Sequence, residues 1–257
     1  METFPGFDGR PLALTRVGQG RPVVLLHGLF SSADMNWVRF GTAAHLAQAG
    51  FACLMPDLRA HGHSAAPHNS DAYPIDVLAR DAEALVAYLG LDEFDLVGFS
   101  LGSRTAARAV MRGMRPRRLV LAGMGLEGLG LEGVGLEGVA GWAKRQAFFR
   151  DVIDRFGTIR PADPAYMAQQ FLKSSGVDRV AVRQLLGTME NIAPSALAAI
   201  TMPTLVLCGD RDNDNGSADN LAAALPNATR ATIPGTHMSC VTLPDLGQAL
   251  VQFLTQD

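Results

Sequence analysis

Ser100 lies between two glycines in a pattern that predicts an activated nucleophile. A largely apolar run at 94–97 leads directly into Gly98-Phe99-Ser100-Leu101-Gly102, and small residues typical of a helix follow. Glycines two positions before and two positions after the serine allow a sharp turn between a strand and a helix. Such a turn strains the serine and holds its hydroxyl clear of the sheet, where it can attack a carbonyl carbon.

A serine hydroxyl is a weak nucleophile, so it needs a neighbouring base that a third group orients. Histidine is the usual base. At serine nucleophiles in such a strand–turn–helix the order along the chain is serine, acid, histidine, and of the six histidines only His237 follows Ser100. Three carboxylates cluster in the loop after the next-to-last apolar run: Asp210, Asp212 and Asp214. The residue types therefore predict a Ser–His–Asp arrangement, and they leave the choice among the three aspartates open.

The elements around these residues alternate between strands and helices, which predicts an α/β fold with a mostly parallel sheet covered on both faces. Short, largely apolar runs suited to buried strands occur at 23–26, 51–55, 94–97, 118–122 and 204–208, and a last strand is expected near 228–233. An N-terminal hairpin is expected at 3–17, and helices are expected at about 36–49 and 75–89. Sites in such sheets form where the parallel strands end, which is where the polar clusters of this chain lie.

The alternation stops at 126–202, where no strand is expected between two strands. This stretch opens with a glycine-rich repeat of period five at 126–140, which fits neither a helix nor a strand. The repeat favours a mobile linker, and a flexible lid margin that touches substrate is the alternative. We therefore expect a core domain of residues 1–125 and 203–257 and a helical cap or lid of residues 126–202, inserted before the penultimate strand.

The composition argues against several classes of protein. The formal net charge of −3 provides no basic face for nucleic acid. No apolar run approaches the roughly 18 residues of a membrane span, and the first residues lack the pattern of a signal peptide. Two of the three cysteines lie in apolar runs, which suits reduced, buried thiols and a cytoplasmic location. Cys240, close to His237, is either a reactive thiol or a small buried residue.

The sequence resembles the α/β-hydrolase superfamily, and within it the capped esterases. The matching segments span nearly the whole chain outside the expected cap, and they are His27-Gly28-Leu29-Phe30, Asp57 through Ser64, Gly98 through Gly102, Gly209 through Asp212, and Gly235 through His237. In that family the acid usually stands three residues after the glycine that ends the penultimate strand. The resemblance therefore implies Asp212 as the acid, with Asp210 as the alternative. It also implies an oxyanion hole formed by the backbone N–H groups of Leu101 and Leu29, with Phe30 as the alternative to Leu29.

The resemblance also assigns supporting roles. It implies that His27 braces its loop, and that the loop containing Asp57, His61 and His63 binds no metal, since convincing third and fourth ligands are missing. A serine nucleophile argues against haloalkane dehalogenases and epoxide hydrolases of this fold, which use an aspartate. No cofactor is implied. Four side chains are candidates to line an acyl pocket, with ordinary core packing as the alternative for each: Phe30, Trp37, Phe99 and Met124.

These observations predict a serine hydrolase that cleaves a carboxylic ester, or a related acyl bond, of a small molecule. Lactonases, carbon–carbon bond hydrolases and cofactor-free perhydrolases use the same triad, and the fold does not choose among them. A carbon–carbon hydrolase would need a cationic or polar contact to its substrate, for which Arg104, Lys144 and Arg145 are candidates. The non-enzymatic alternative is a receptor that keeps the triad to sense a ligand. We expect a monomer or a homodimer, with no nucleic-acid or membrane partner.

Overall fold

The structure of the protein is a computed structural model that describes residues 1–132 and 141–256. Its centre is one eight-stranded sheet. The strands are β1 (Glu2–Pro5), β2 (Pro11–Val17), β3 (Arg21–Leu26), β4 (Phe51–Pro56), β5 (Asp95–Phe99), β6 (Leu119–Ala122), β7 (Thr204–Gly209) and β8 (Ala228–Ile233). Their order across the sheet is β1-β2-β4-β3-β5-β6-β7-β8.

The sheet is parallel from β4 to β8, and the antiparallel pairings are β1 with β2 and β2 with β4. Every residue of β5, β6 and β7 is buried, because helices cover both faces of these central strands. The predicted mostly parallel α/β fold is confirmed. The predicted N-terminal hairpin forms the antiparallel edge, with Gly9 in the left-handed region at its turn (φ 79°).

Helices form a layer on each face of the sheet. They are α1 (Thr42–Gln48), α2 (Val77–Tyr88), α3 (Leu101–Met111), α4 (Gly141–Asp154), α5 (Tyr166–Ser175), α6 (Arg179–Leu186), α7 (Ala218–Ala224) and α8 (Pro244–Leu254). The apolar residues of α1 and α8 pack in one core layer, and those of α2, α3 and α7 pack in the other. None of the helices in the described ranges has the length and apolar character needed to cross a bilayer.

The single helix expected at 36–49 is wrong. The chain instead forms a π-helical turn at Asp34–Val38 and then α1, which begins at Thr42. Gly41 separates the two pieces with a φ of 85°, a left-handed conformation that interrupts a right-handed helix. The interruption lets the π-helical turn end next to the loop that follows β3.

The cap consists of α4, α5 and α6, which lie between β6 and β7 in the sequence, as predicted. The prediction of a mobile linker is wrong for the first part of the glycine repeat, residues 126–132. Leu129 and Leu131 are buried, the carboxylate of Glu127 accepts the N–H of Ser217 at 2.8 Å, and Leu131 bridges to Ile192. The rest of the repeat, 133–140, lies outside the described residues. The domain boundaries at 126 and 202 stay a prediction.

Candidate active site

Ser100 occupies the sharp turn between β5 and α3, with φ of 53° and ψ of −113°. This backbone conformation is rare for a residue with a side chain, so the surrounding packing must hold it. A Cβ on Gly98 would overlap the backbone of Gly102, and a Cβ on Gly102 would overlap the carbonyl oxygen of Leu26. The close approach of α3 to the sheet therefore requires both glycines, as their spacing predicted.

We expect Gly102→Ala to lower the free energy of unfolding by about 3 kcal/mol, because the added Cβ must displace the backbone of β3. Gly28→Ala is the matched control, since the nearest atom to a Cβ there is Cδ1 of Phe99 at 3.4 Å, an ordinary contact. Chemical denaturation of both variants measures the difference. Equal losses in the two variants would contradict the close approach of α3.

Two further side chains meet Ser100 at the carboxyl edge of the sheet. His237 follows β8, and its Nε2 lies 3.0 Å from Ser100 Oγ. Asp212 follows β7, and its Oδ2 lies 2.9 Å from His237 Nδ1. The side chain of Asp212 is 1% exposed and that of His237 is 10% exposed. A carboxylate at Nδ1 favours the tautomer with its proton there, which leaves Nε2 free to accept a proton from Ser100.

Asp210 has a different set of contacts. Its Oδ1 accepts the backbone N–H of Gly235 at 2.7 Å, and its side chain is 54% exposed. It therefore holds the turn next to His237 rather than the imidazole itself. The geometry brings Asp212, and not Asp210, to the histidine, while the catalytic role of Asp212 stays a prediction.

Within the described part of the chain, one group of side chains has the ligand types and spacing for a metal ion. It consists of Asp212, Asp214 and His237, whose potential ligand atoms all lie within 4.8 Å of one another. Two of those atoms, Asp212 Oδ2 and His237 Nδ1, are already joined by a hydrogen bond. A metal would have to break the contact that orients the imidazole, so this group fits a hydrogen-bonded relay better than a metal site.

Two backbone N–H groups beside Ser100 are available for an oxyanion. Leu101 is the first residue of α3, where N–H groups lack helical acceptors and the helix dipole is positive. Neither its N–H nor that of Leu29 donates to another residue in the described ranges. The N–H of Phe30, the alternative to Leu29, donates to Nε2 of His61 at 3.1 Å. The geometry therefore favours Leu29 and Leu101 as the donor pair.

Asn36 orients the loop that carries Leu29, a role that nothing in the sequence pattern indicates. Its Oδ1 accepts the N–H of Gly28 at 3.0 Å, and the side chain is buried in the π-helical turn. This contact orients the peptide next to the predicted oxyanion hole. The role of Asn36 is visible only in the folded structure, because its local sequence has the pattern of an ordinary amphipathic helix.

His27 and His61 lie buried behind this loop and brace it. Each ring accepts a backbone N–H at Nε2 and donates from Nδ1 to a backbone carbonyl. Burial lowers the pKa of His27 to about 4. Burial and the neighbouring His27 lower the pKa of His61 to about 3. Both rings therefore stay neutral at physiological pH, which agrees with the bracing role expected for His27.

These two histidines predict a loss of stability in mild acid. Their folded pKa values lie below the ordinary value of 6.5, so below pH 6.5 the unfolded chain binds more protons than the folded chain. The free energy of unfolding should fall as the pH drops from about 6.5 to 4, by about 1.4 kcal/mol per pH unit for each ring.

Denaturation at a series of pH values between 4 and 7 checks this expectation. His61→Gln should remove about half of the slope. A stability that does not vary over this pH range would contradict the buried neutral state of the two rings.

Two cavities meet at Ser100 and His237. The larger one, about 930 Å³, lies between the cap and the core. The smaller one, about 290 Å³, extends toward the π-helical turn and the loop after β8. Phe171 and Ser174 of α5 line both cavities. The nucleophile therefore has separate space on two sides, enough for two parts of one small molecule.

Three of the four predicted pocket side chains line these cavities. Phe30 and Met124 line the larger one, and Phe99 lines the smaller one. The expectation for Trp37 is wrong, because its side chain is fully buried and packs in the core layer of α1 and α8. Phe171 lines both cavities together with Ser100, and nothing in the local sequence of α5 indicates this position.

The chain was compared with known proteins. The sequence model of the alpha/beta hydrolase fold family matches residues 21–148. A non-heme haloperoxidase from Rhodococcus erythropolis is 29% identical, over 96% of this chain and 97% of its own. An esterase from Exiguobacterium antarcticum has a TM-score of 0.77 at 21% identity, with 99% of both chains covered. An enol-lactonase from Burkholderia xenovorans LB400 has a TM-score of 0.75 at 21% identity, covering 99% of this chain and 100% of the other.

The parallel sheet, the strained serine after β5 and the inserted helical cap define a class of α/β proteins with a site at the carboxyl edge of the sheet. The chain belongs to the α/β-hydrolase superfamily. Its similarity to the two structures above extends to the fold alone. The predicted membership of this superfamily is confirmed, and the family supports a hydrolase.

Proposed function

We propose that the protein is a serine hydrolase that cleaves a carboxylic ester of a small molecule through an acyl-enzyme. One observation carries the proposal: the hydrogen bonds that join Ser100 Oγ to His237 Nε2 at 3.0 Å and His237 Nδ1 to Asp212 Oδ2 at 2.9 Å. A buried carboxylate, a histidine and a strained serine in this order are the parts that acyl transfer requires. The esterase among the similar structures agrees with this proposal.

In the first half of the proposed reaction, Ser100 Oγ attacks the ester carbonyl while His237 Nε2 takes its proton. The oxygen of the tetrahedral intermediate becomes negative and accepts hydrogen bonds from the N–H groups of Leu29 and Leu101. Each such donor contributes roughly 3–4 kcal/mol to the lowering of the barrier. The buried Asp212 carboxylate stabilises the imidazolium cation, which then gives its proton to the departing alkoxide.

In the second half, water attacks the acyl group bound to Ser100. His237 removes a proton from that water and returns it to Ser100 Oγ when the bond to the acyl group breaks, which releases the acid. The two cavities suit this sequence, because the acyl group can stay in one while the alcohol leaves the other and water replaces it. Every step uses groups of this chain, the ester and water.

Steady-state hydrolysis of a series of 4-nitrophenyl esters tests the proposal. We expect many turnovers per protein molecule and a dependence of kcat on the length of the acyl chain, since the cavities limit what fits. A triad-retaining receptor would release at most a few equivalents of nitrophenol. That result, with the protein correctly folded, would exclude the hydrolase and favour a ligand-sensing role.

A second candidate is perhydrolysis at the same triad, which the similarity to a non-heme haloperoxidase over nearly the full length favours. Hydrogen peroxide would then replace water as the group that attacks the acyl-enzyme, and the product would be a peracid. Incubation with acetate and hydrogen peroxide, followed by an assay for bromide oxidation, distinguishes the two. Lactones and carbon–carbon substrates belong in the same screen.

A cytoplasmic location is part of the same proposal, and the cysteines support it. All three are unpaired and buried. Burial raises the pKa of both Cys53 and Cys240 to about 12, which keeps these thiols protonated and unreactive. Cys240 therefore fits the interpretation as a small buried residue rather than a reactive thiol.

A further inference from the structure

The wall of the larger cavity contains a cationic side chain that no carboxylate of the described chain neutralises by an ion pair. Arg145, on the cap helix α4, lines this cavity together with Ser100 and His237. Its Nη1 donates to the backbone carbonyl of Asp214. Its guanidinium carbon lies 5.6 Å from the centre of the Phe149 ring. These contacts hold the guanidinium in place without balancing its charge.

Arg59 is a buried arginine whose charge is balanced. The buried Arg59 pairs with Asp8 and with Asp81, each at 2.8 Å. By contrast, Nε of Arg145 is buried and has no hydrogen-bond partner in the part of the chain that the structure describes. The same holds for Nε of Arg150 and of Arg230, but neither of these residues lines the cavities at Ser100. Burial lowers the pKa of Arg145, and the more distant Asp214 and Asp212 charges only partly offset this. A partly buried cation with an enclosed, unused N–H is costly unless an anion meets it.

We propose that Arg145 binds a carboxylate of the substrate, so that the substrate is an ester with a second, ionised acid group, such as a monoester of a dicarboxylic acid. This inference rests on the proposed ester hydrolysis. Nε is enclosed by the protein and Nη1 donates to the Asp214 carbonyl, so Nη2 is the guanidinium nitrogen left to donate a charge-assisted hydrogen bond to a substrate carboxylate.

The rest of the cavity wall fits the other parts of such a molecule. Lys144 and Arg104 bring the cationic residues of the same wall to three, against one acidic residue, Asp214. The apolar side chains between the cations and the nucleophile suit a hydrocarbon segment, and they are Phe148, Phe149, Met167 and Phe171. A molecule with an acid at one end, a short apolar chain and an ester therefore matches the cation, the apolar wall and Ser100.

The test compares two esters that differ in one terminal group: 4-nitrophenyl hexanoate, which ends in a methyl group, and mono-4-nitrophenyl adipate, which ends in a carboxylate. We expect kcat/KM for the adipate ester to exceed that for the hexanoate ester by about tenfold or more, as a charge-assisted contact implies.

Arg145→Gln should bring this ratio of kcat/KM values close to one, mainly through KM. Arg145→Lys should keep part of the preference. Arg183→Gln, which removes a cap arginine paired with Asp154 on the surface, is the matched control and should keep the wild-type ratio.

The outcomes separate this inference from the function on which it rests. If the wild-type protein hydrolyses the hexanoate ester and shows no preference for the adipate ester, the inference is overturned and the esterase stands. The same holds if Arg145→Gln leaves the ratio unchanged. The wild-type ratio needs no variant, so the inference stays testable even where Arg145→Gln does not fold. If the wild-type protein hydrolyses neither ester, the proposed function fails, and the inference fails with it.

Discussion

Ser100→Ala should lower kcat for ester hydrolysis by roughly 10⁴- to 10⁶-fold, because it removes the Oγ that lies 3.0 Å from His237 Nε2 and would form the acyl-enzyme. His237→Ala should cause a loss of similar size, since the serine hydroxyl then lacks its base. The two changes act on one unit, so the double variant should lose little more than either single variant. Single-turnover and steady-state assays on the best 4-nitrophenyl ester measure the three losses.

Ser70→Ala is the control for this series, because it changes an exposed serine that lines neither cavity. It should hydrolyse the ester at the wild-type rate. The fold of each variant can be checked by its melting temperature. A Ser100→Ala protein that keeps more than about 1% of the wild-type kcat would mean that another group performs the attack.

Asp212→Asn should lower kcat by about 10⁴-fold while changing KM little, because an amide has the size of the carboxylate but not its charge. His237 Nδ1 now donates to Oδ2 of Asp212 over 2.9 Å. An amide that offers its N–H₂ group to Nδ1 would favour the tautomer with the proton on Nε2, which cannot accept a proton from Ser100. It would also remove the negative charge that stabilises the imidazolium.

Asp210→Asn is the matched control for the choice between the two aspartates. Asp210 lies two residues earlier in the same loop, and its Oδ1 accepts the N–H of Gly235 and forms an exposed ion pair with Arg211 at 3.6 Å. An amide oxygen can accept that hydrogen bond, so kcat should stay within about threefold of the wild-type value. A large loss in Asp210→Asn together with a small one in Asp212→Asn would reverse the assignment.

The parts of the site that depend on local geometry could be predicted from the sequence. Gly98 and Gly102 indicate the turn at Ser100, because no larger residue fits at either position. This steric constraint involves only the five consecutive residues 98–102. The buried strands were equally clear, since a strand covered on both faces must be a short apolar run. His237 could be predicted as the base, because it is the one histidine that follows Ser100 along the chain.

The parts that depend on packing between distant segments could not be predicted. Trp37 is a large aromatic residue of the kind that often lines a pocket. After the break at Gly41, its ring packs in the core instead. Asn36 acts on Gly28 through a turn that the sequence did not indicate. From the sequence, Arg145 is one of several candidate cations, and only the packing of α4 against the loop of Asp214 places it at the cavity. Each of these contacts joins segments whose relation is set by the whole fold rather than by local pattern.

The central claim is that Ser100 is an activated nucleophile, and covalent labelling tests it most directly. The wild-type protein would be treated with an excess of a fluorophosphonate, and the modified peptide located by mass spectrometry. The account predicts one adduct, on Ser100, that is absent in Ser100→Ala and forms far more slowly in His237→Ala. No adduct on the folded protein, or an adduct on a different residue, would contradict the account.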